Sequence, residues 1–403
     1  MTNPMVEEFK SLPGLLQDVF QNLDDSARNS LHPELCLSLK HVYFAGCGDS
    51  HFAPLSMELA FTSLSGLPVT VMRSMKFARY FAGNLPKMGP KMQMVVGISV
   101  SGAVARTAEA LRMGRQNGIT ALGLTGNPDG KVARESEMMM KVTIPPMERP
   151  EGLVFPGIRG NFVHGEKAAK GEAVIPGARS YFTNQVALLL MAVRIGEVRS
   201  HLTTAKANEV REQIRGLHVA IEETIQLCDA PVKALAATWQ DADDFVFCGS
   251  GPNFATALFS AAKILEASGD AAMGQDMEEW NHLQYFARKI SSPTFIVSAG
   301  QRDLSRATET AVAAKQIGRR VAVVAPKRAA GLHETADASL FIADIPEMFS
   351  PLVSCIPAGL FAAYRSELLD EPFFRNFQGG RNVAEGGGIS RIQTSEMLEE
   401  WQE

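Results

Sequence analysis

Short apolar runs separated by helix-length stretches recur along the 403 residues, and the whole pattern occurs twice. In the first half the runs are 41–46 (HVYFAG), 68–72 (PVTVM), 93–99 (QMVVGIS), 119–124 (ITALGL) and 138–143 (MMMKVT). Helical spacing appears near 52–65, 103–117 and 128–135. Apolar runs of this length, alternating with helices, are the signature of βαβ units: a parallel sheet covered by helices on both faces. A long apolar helix from residue 182 leads into a helical connector ending near 240. The pattern then restarts with 245–249 (FVFCG), a helix over 253–267, 293–298 (PTFIVS), a helix over 304–317, 320–325 (RVAVVA) and 339–343 (SLFIA). The glycine turns Gly46-Cys47-Gly48 and Gly249-Ser250-Gly251 are separated by roughly 200 residues, as are Ser99 and Ser298, which indicates duplication of one unit. The expected organisation is α/β, with a first domain over 1–200, a second over 201–370 and a tail over 371–403 that closes over the site.

Composition narrows the function classes. A net charge of −5, without a run of Lys or Arg, gives no basic footprint for nucleic acid or an anionic membrane surface. The five cysteines, Cys36, Cys47, Cys228, Cys248 and Cys355, are scattered and lack metal-ligand spacing, which suits reduced thiols. His32, His41, His51, His201, His218 and His333 show no metal spacing and read as structural or surface residues. The first residues, MTNPMVEEFKSLPGLLQ, carry no leader pattern, and no apolar run approaches the ~18 residues needed to cross a bilayer. A cytoplasmic protein with no metal and no organic cofactor is expected.

The clearest candidate site lies in two first-half loops. In open α/β sheets, ligands bind beyond the carboxyl ends of the strands. Two such ends are AGCGDS (45–50) and SVSG (99–102), and each runs straight into a helix whose free N–H groups attract an anion. Ser50, Ser99 and Ser101 add hydroxyl donors, Val100 lies between two of them, and Gly48 and Gly102 let the backbone approach closely. Either loop alone is also what an ordinary helix cap and tight turn looks like. Together in one array they favour a phosphate. Neither is a Walker loop, and GCGDSH lacks the third glycine of a dinucleotide fingerprint.

These motifs, the duplication and the tail sequence GGRNVAE resemble the double-SIS (sugar isomerase) domain family, in particular the isomerase half of glucosamine-6-phosphate synthase and the fructosamine-6-phosphate deglycases. The resemblance runs from EEFKSLPGLLQD to RNVAE. It implies two tandem SIS domains, each a flavodoxin-like three-layer sandwich, with the sugar 6-phosphate held by Ser50, Ser99 and Ser101. The family's threonine after SxSGE falls on Val104, so one phosphate hydroxyl is missing unless Thr107 supplies it.

The second half carries the candidate chemistry in FSAAKILEASGDAAMGQDMEEWNH. On a helical wheel Glu266 shares a face with Phe259 and Ala262, so partial burial would raise its pKa and suit it to proton transfer. A surface glutamate paired with Lys263 fits the same spacing. The resemblance makes Glu266 the general base at the sugar carbons and His282, sixteen positions later, the residue that assists ring opening. It also matches Lys263 to a family lysine. Where the family reads ELKHGP, this chain reads EWNHLQ: Glu279 and His282 are kept and Gly-Pro is not. In the tail, Arg381 aligns with the family's arginine, and Glu385 replaces a lysine, either as a second acid/base and amine-recognising group or as an exposed tail residue. The Gly- and Pro-rich stretch 144–178 is longer than the family's connection, and Arg159, Phe162 and His164 are candidate lid contacts.

The expected activity is deglycation or isomerisation of a 6-phosphorylated fructosamine-type (Amadori) or amino sugar by proton transfer between C1 and C2, without a glutaminase domain. The alternatives are an amine-free aldose–ketose phosphosugar isomerase and a non-catalytic sugar-phosphate sensor. The resemblance further implies a homodimer with shared sites, His282 acting across the two chains.

Overall fold

The computed structural model describes residues 3–147, 175–381 and 391–401. The strands in chain order are β1 (His41–Gly46), β2 (Val69–Arg73), β3 (Gln93–Ile98), β4 (Thr120–Thr125), β5 (Met138–Lys141), β6 (Asp244–Gly249), β7 (Ala271–Asp276), β8 (Thr294–Val297), β9 (Val321–Pro326) and β10 (Ala338–Ile342). The α-helices are α1 (Pro4–Lys10), α2 (Leu12–Ser30), α3 (Pro33–Ser38), α4 (Asp49–Ser65), α5 (Ser74–Tyr80), α6 (Ala105–Gln116), α7 (Lys131–Glu135), α8 (Arg179–Val198), α9 (Thr204–Thr238), α10 (Pro252–Ala267), α11 (Met277–Leu283), α12 (Leu304–Gln316), α13 (Ala330–His333) and α14 (Pro351–Leu369).

The chain divides into two units. The first comprises Gly14–Pro145, Arg179–Leu217 and Ile389–Glu403; the second comprises Met1–Pro13, Pro146–Ala178 and His218–Gly388. In the first unit the sheet order is β2-β1-β3-β4-β5, and every pairing is parallel. Every residue of β3 is buried, which is why its sequence is a continuous apolar run rather than an alternation. In the second unit the order is β10-β9-β8-β6-β7, again all parallel. Read from its other edge this is the same 2-1-3-4-5 topology, the flavodoxin-like arrangement with its switch point between the first and third strands. Two tandem α/β sandwiches are therefore present.

Local geometry repeats with the topology. Gly48 and Gly251 have nearly the same backbone, φ 54° with ψ −132° and φ 54° with ψ −128°. Two residues earlier in each turn, a Cβ on Gly46 would lie 2.1 Å from the Ser50 carbonyl oxygen, and one on Gly249 would lie 2.4 Å from that of Asn253. Only glycine lets each helix start this close to the strand. The Ser99 amide donates to the Leu124 carbonyl and the Ser298 amide to that of Val324, both at 3.0 Å.

The units differ from a simple division near residue 200. Residues 3–13 belong to the second unit because α1 packs on α14. There the Asn3 side-chain amide donates to the Ala363 carbonyl at 2.8 Å. The ring of Phe9 fills the space beside Gly359, where a Cβ would lie 1.9 Å from its Cζ. The long helix α9 passes from one unit into the other. Its early part is tied to the first by Arg211, which pairs with Asp24 at 3.1 Å and Glu197 at 2.6 Å.

The tail is not one arm. Residues up to Arg381 go with the second unit, whereas 391–401 form a strap over α5, α6 and α7. Glu109, fully buried, anchors the strap: it pairs with Arg79 at 3.1 Å and with Arg106, and it accepts the Leu398 amide at 2.8 Å. The Ile392 carbonyl accepts the Ala105 amide at 3.0 Å, and Met397, Leu398 and Trp401 pack on the apolar cluster beneath.

Two elements depart from the sequence pattern. β7 (AAMGQD) is an edge strand without β-branched residues, so its composition does not announce a strand. Helix α14, by length and composition, is apolar enough to cross a membrane, contrary to the expectation that no run approaches that length. It is a core helix, with 83% of its most apolar window buried.

Candidate functional site

The first-unit cradle is built by the carboxyl ends of β1 and β3, adjacent strands at the switch point. After β1, Gly48 takes its positive φ and α4 begins at Asp49, with the His51 amide donating to the Gly48 carbonyl at 2.8 Å. After β3 the loop 99–102 is held from the end of β4: the Gly126 amide donates to the Val100 carbonyl at 3.1 Å, and the Asn127 side-chain amide to that of Ser101 at 3.1 Å. Gly102, at φ +67°, has no room for a side chain, because a Cβ would sit 3.0 Å from Thr125 Oγ1. No side chain caps the N-terminus of α6, where Val104 stands at the cap position.

The hydroxyls differ in their surroundings. Ser101 is exposed, and its Oγ accepts the Ala103 amide at 3.4 Å. Ser50 is half-buried. Ser99 is 2% exposed, and its Oγ has no hydrogen-bond partner among the described residues. A hydroxyl buried without a partner costs about 1–3 kcal/mol, so one sited at a switch point is poised for a ligand. Thr107 does not join this set. It is fully buried, and its Oγ1 lies 3.1 Å from Ser74 Oγ in the packing of α5 on α6. The family hydroxyl lost at Val104 is therefore not replaced by Thr107.

His51, in the first turn of α4, is 7% exposed. Burial, and then the charge of Arg73, push its pKa from 6.5 down to about 4. In the unfolded chain it protonates near 6.5, so between pH 6.5 and 4 the unfolded state takes up a proton that the folded state refuses. Stability from this residue is complete above pH 6.5 and is lost as pH falls toward 4. The expected loss between pH 7 and pH 5 is about 2 kcal/mol. Urea unfolding at the two pH values should show that increment in the wild type and not in His51→Gln; an unchanged pH difference in the variant would contradict it.

In the second unit, Lys263 and Glu266 are brought together on the last turns of α10. The Lys263 side chain is completely buried, and its Nζ lies 2.5 Å from Glu266 Oε2, whose side chain is 30% exposed. The ammonium also donates to the Gly177 carbonyl at 3.4 Å and sits 4.9 Å from the centre of the Phe259 ring. A carboxylate at a helix C-terminus is disfavoured by the helix dipole; the buried lysine offsets this. Glu266 is thus both paired with Lys263 and partly buried. Gly177 was not singled out in the sequence. The only sequence signal was its place in Pro-Gly-Ala just before α8, at the end of the 144–178 stretch.

His282 lies at the end of α11, 67% exposed, with Nε2 3.3 Å from Glu278 Oε1. Glu278 is chelated by Arg306 at 2.7 and 2.9 Å, and that guanidinium, more than His282, holds its carboxyl below the usual range. Arg381 is exposed, and its guanidinium donates to the Gln378 carbonyl at 2.9 Å in a local turn. Arg159, Phe162, His164 and Glu385 lie outside the described residues. Among the described residues no group of three or more His, Cys, Asp or Glu side chains is placed to hold a metal ion.

Fold and motif together define a class. Residues 37–154 match the SIS domain family, and the second unit repeats the topology of the first. The chain is similar in sequence to glutamine–fructose-6-phosphate aminotransferases (isomerizing). It is 24% identical to that of Gloeobacter violaceus over 91% of this chain and 57% of the relative, and 25% identical to that of Synechocystis over 85% and 51%. The chain thus spans little more than half the length of these relatives. In three dimensions it is similar to the C-terminal domain of glucosamine-fructose-6-phosphate aminotransferase from Francisella tularensis (TM-score 0.72, 18% identity, 91% of this chain and 96% of that one). It is also similar to tagatose-6-phosphate ketose/aldose isomerase from Escherichia coli (TM-score 0.67, 16% identity, 92% and 94%).

Proposed function

We propose that this chain deglycates or isomerises a 6-phosphorylated sugar of the fructosamine or amino-sugar class. The observation that carries this reading is the buried, unpartnered Ser99 hydroxyl between two glycine loops at the switch point of the first sheet. Gly48, Ser50, Val100, Ser101 and Gly102 complete the phosphate cradle.

Proton transfer next to a carbonyl or imine needs only a positioned base. Glu266 takes the proton from C1 of the open-chain ketoamine, leaving an enaminol, and returns it at C2. The product of that transfer is an imine at C1. Water then hydrolyses the imine to the aldose 6-phosphate and the free amine. His282 assists ring opening, and Lys263 holds the Glu266 carboxylate in place through their ion pair. Glu385 recognises the substrate amine, and Arg381 and Arg159 are weaker candidates for substrate contact. Retention of both Glu266 and His282 at the spacing of the resembled enzymes favours an enzyme over a sugar-phosphate sensor. The fold shared with the ketose/aldose isomerase supports a second reading, isomerisation without an amine.

We further propose a homodimer in which His282 serves the partner's site. Leu283, Tyr285 and Phe286 follow it directly and are exposed, Phe286 at 75%. A contiguous apolar surface of this kind marks a contact, and a second copy is the simplest occupant. The five unpaired cysteines support a cytoplasmic setting.

Incubation with phosphorylated Amadori compounds, aminohexose phosphates and amine-free ketose 6-phosphates, with product detection, tests the reading. An aldose 6-phosphate and free amine are expected from the Amadori compounds. Turnover of amine-free ketose phosphates alone would favour the second reading, and binding without turnover would favour a sensor.

A further inference from the structure

The second unit repeats the cradle but not its unpartnered hydroxyl. Ser298 occupies the place of Ser99, at the end of the matching strand and with the matching amide bond to the next strand. Its hydroxyl is nevertheless already engaged: Ser298 Oγ donates to Asp303 Oδ1 at 2.9 Å and accepts the Gly300 amide at 2.8 Å.

Asp303 is 8% exposed, and its other oxygen, Oδ2, is buried without a hydrogen bond. It stands at the cap position of α12, yet its carboxylate makes no capping bond to that helix. It folds back instead into its own loop, 298–303. Burial pushes its pKa up, while the Ser298 hydroxyl and the amides of Asp303, Gln301 and Ala299 oppose that shift. Those are the donors that would surround an oxyanion. The loop is fastened around the carboxylate by Arg328, whose guanidinium donates to the carbonyls of Ala299 (2.9 Å) and Gly300 and pairs with Asp344 at 2.6 Å. The second hydroxyl is also gone. Two residues beyond Gly251, where the first unit has Ser50 after Gly48, stands Asn253, buried and tied to Ser350 and Ser354.

We propose that Asp303 is a built-in anion that plugs the second cradle, so that phosphate recognition belongs to the first cradle alone. The proposal rests on reading the Ser99 loop as a phosphate site. A duplicated unit would otherwise offer two phosphate sites per chain; a fixed carboxylate in one of them excludes a second anion by occupying its donors and repelling its charge.

The test counts inorganic phosphate bound by wild type, Asp303→Ser and Asp303→Gly, each confirmed folded by thermal melting. The expected result is one more phosphate per chain in the variants than in the wild type: two against one. The same increment is expected in a Ser99→Ala/Ser101→Ala background, one against none. Folded variants with no added site would overturn the plug. So would a wild-type crystal soaked in phosphate that shows the ion on the Ser298 loop, a measurement that needs no variant. If the wild type binds no phosphate and Asp303→Ser binds one, the plug stands and the Ser99 assignment falls.

Discussion

Glu266→Gln should lower turnover by about 10²–10⁴ while leaving KM within a few-fold of wild type, the loss typical of a positioned general base. The amide keeps the shape of the carboxylate and removes the proton acceptor. It also leaves Lys263, completely buried, without its anion, so the variant should melt at a lower temperature. Assaying below both melting points separates the two effects. The sharper readout is exchange of the C1 proton with deuterated solvent, followed by NMR: wild type should wash the proton out and Glu266→Gln should not. Mixing this variant with His282→Ala should restore about a quarter of the sites if each site takes one residue from each of two chains that exchange at random. Near-wild-type exchange by Glu266→Gln would return Glu266 to a structural ion pair. No recovery in a mixture whose subunits demonstrably exchange would remove the shared site.

Ser99→Ala with Ser101→Ala should raise KM for the phosphorylated substrate roughly 10- to 150-fold for each hydroxyl, because a hydrogen bond to a charged group is worth about 1.5–3 kcal/mol. The stability change should have the opposite sign from that of a damaged core. Since Ser99 Oγ is buried and unpartnered, replacing it with a methyl removes a desolvated hydroxyl, and the ligand-free variant should melt at or above the wild-type temperature. Weaker binding in a protein no less stable marks a side chain kept for its ligand. A KM unchanged by both substitutions would dissociate phosphate from this loop.

The fold was legible where burial dictates composition. Central strands such as β3 and β9 are buried throughout and read as plain apolar runs, and the two glycine turns announced themselves because each helix starts against its strand. The edge strand β7 was hidden, since its Ala, Met, Gly and Gln carry no strand signature. Unit membership was also hidden. That α1 joins the second unit depends on Phe9 meeting Gly359, and that the last residues strap the first depends on Glu109 meeting Leu398; both contacts span hundreds of residues without a periodic pattern. Among the candidate site residues, Ser99 and Ser101 were singled out from loop chemistry, and the structure places both in the loop that follows β3. Thr107 shows where motif spacing misleads: its helical position turns it onto Ser74 in the core. The Asp303 plug was visible only as SAGQRD standing where the first half has SVSG, and the meaning of that difference required the direction of one carboxylate.

The most direct measurement is a crystal structure of the protein with a 6-phosphorylated ketose bound. The account predicts a phosphate oxygen about 2.5–3.0 Å from Ser99 Oγ, with the remaining oxygens on Ser50, Ser101 and the amides of the 99–102 loop. A sugar phosphate seated elsewhere, with the Ser99 hydroxyl still unpartnered, would contradict it.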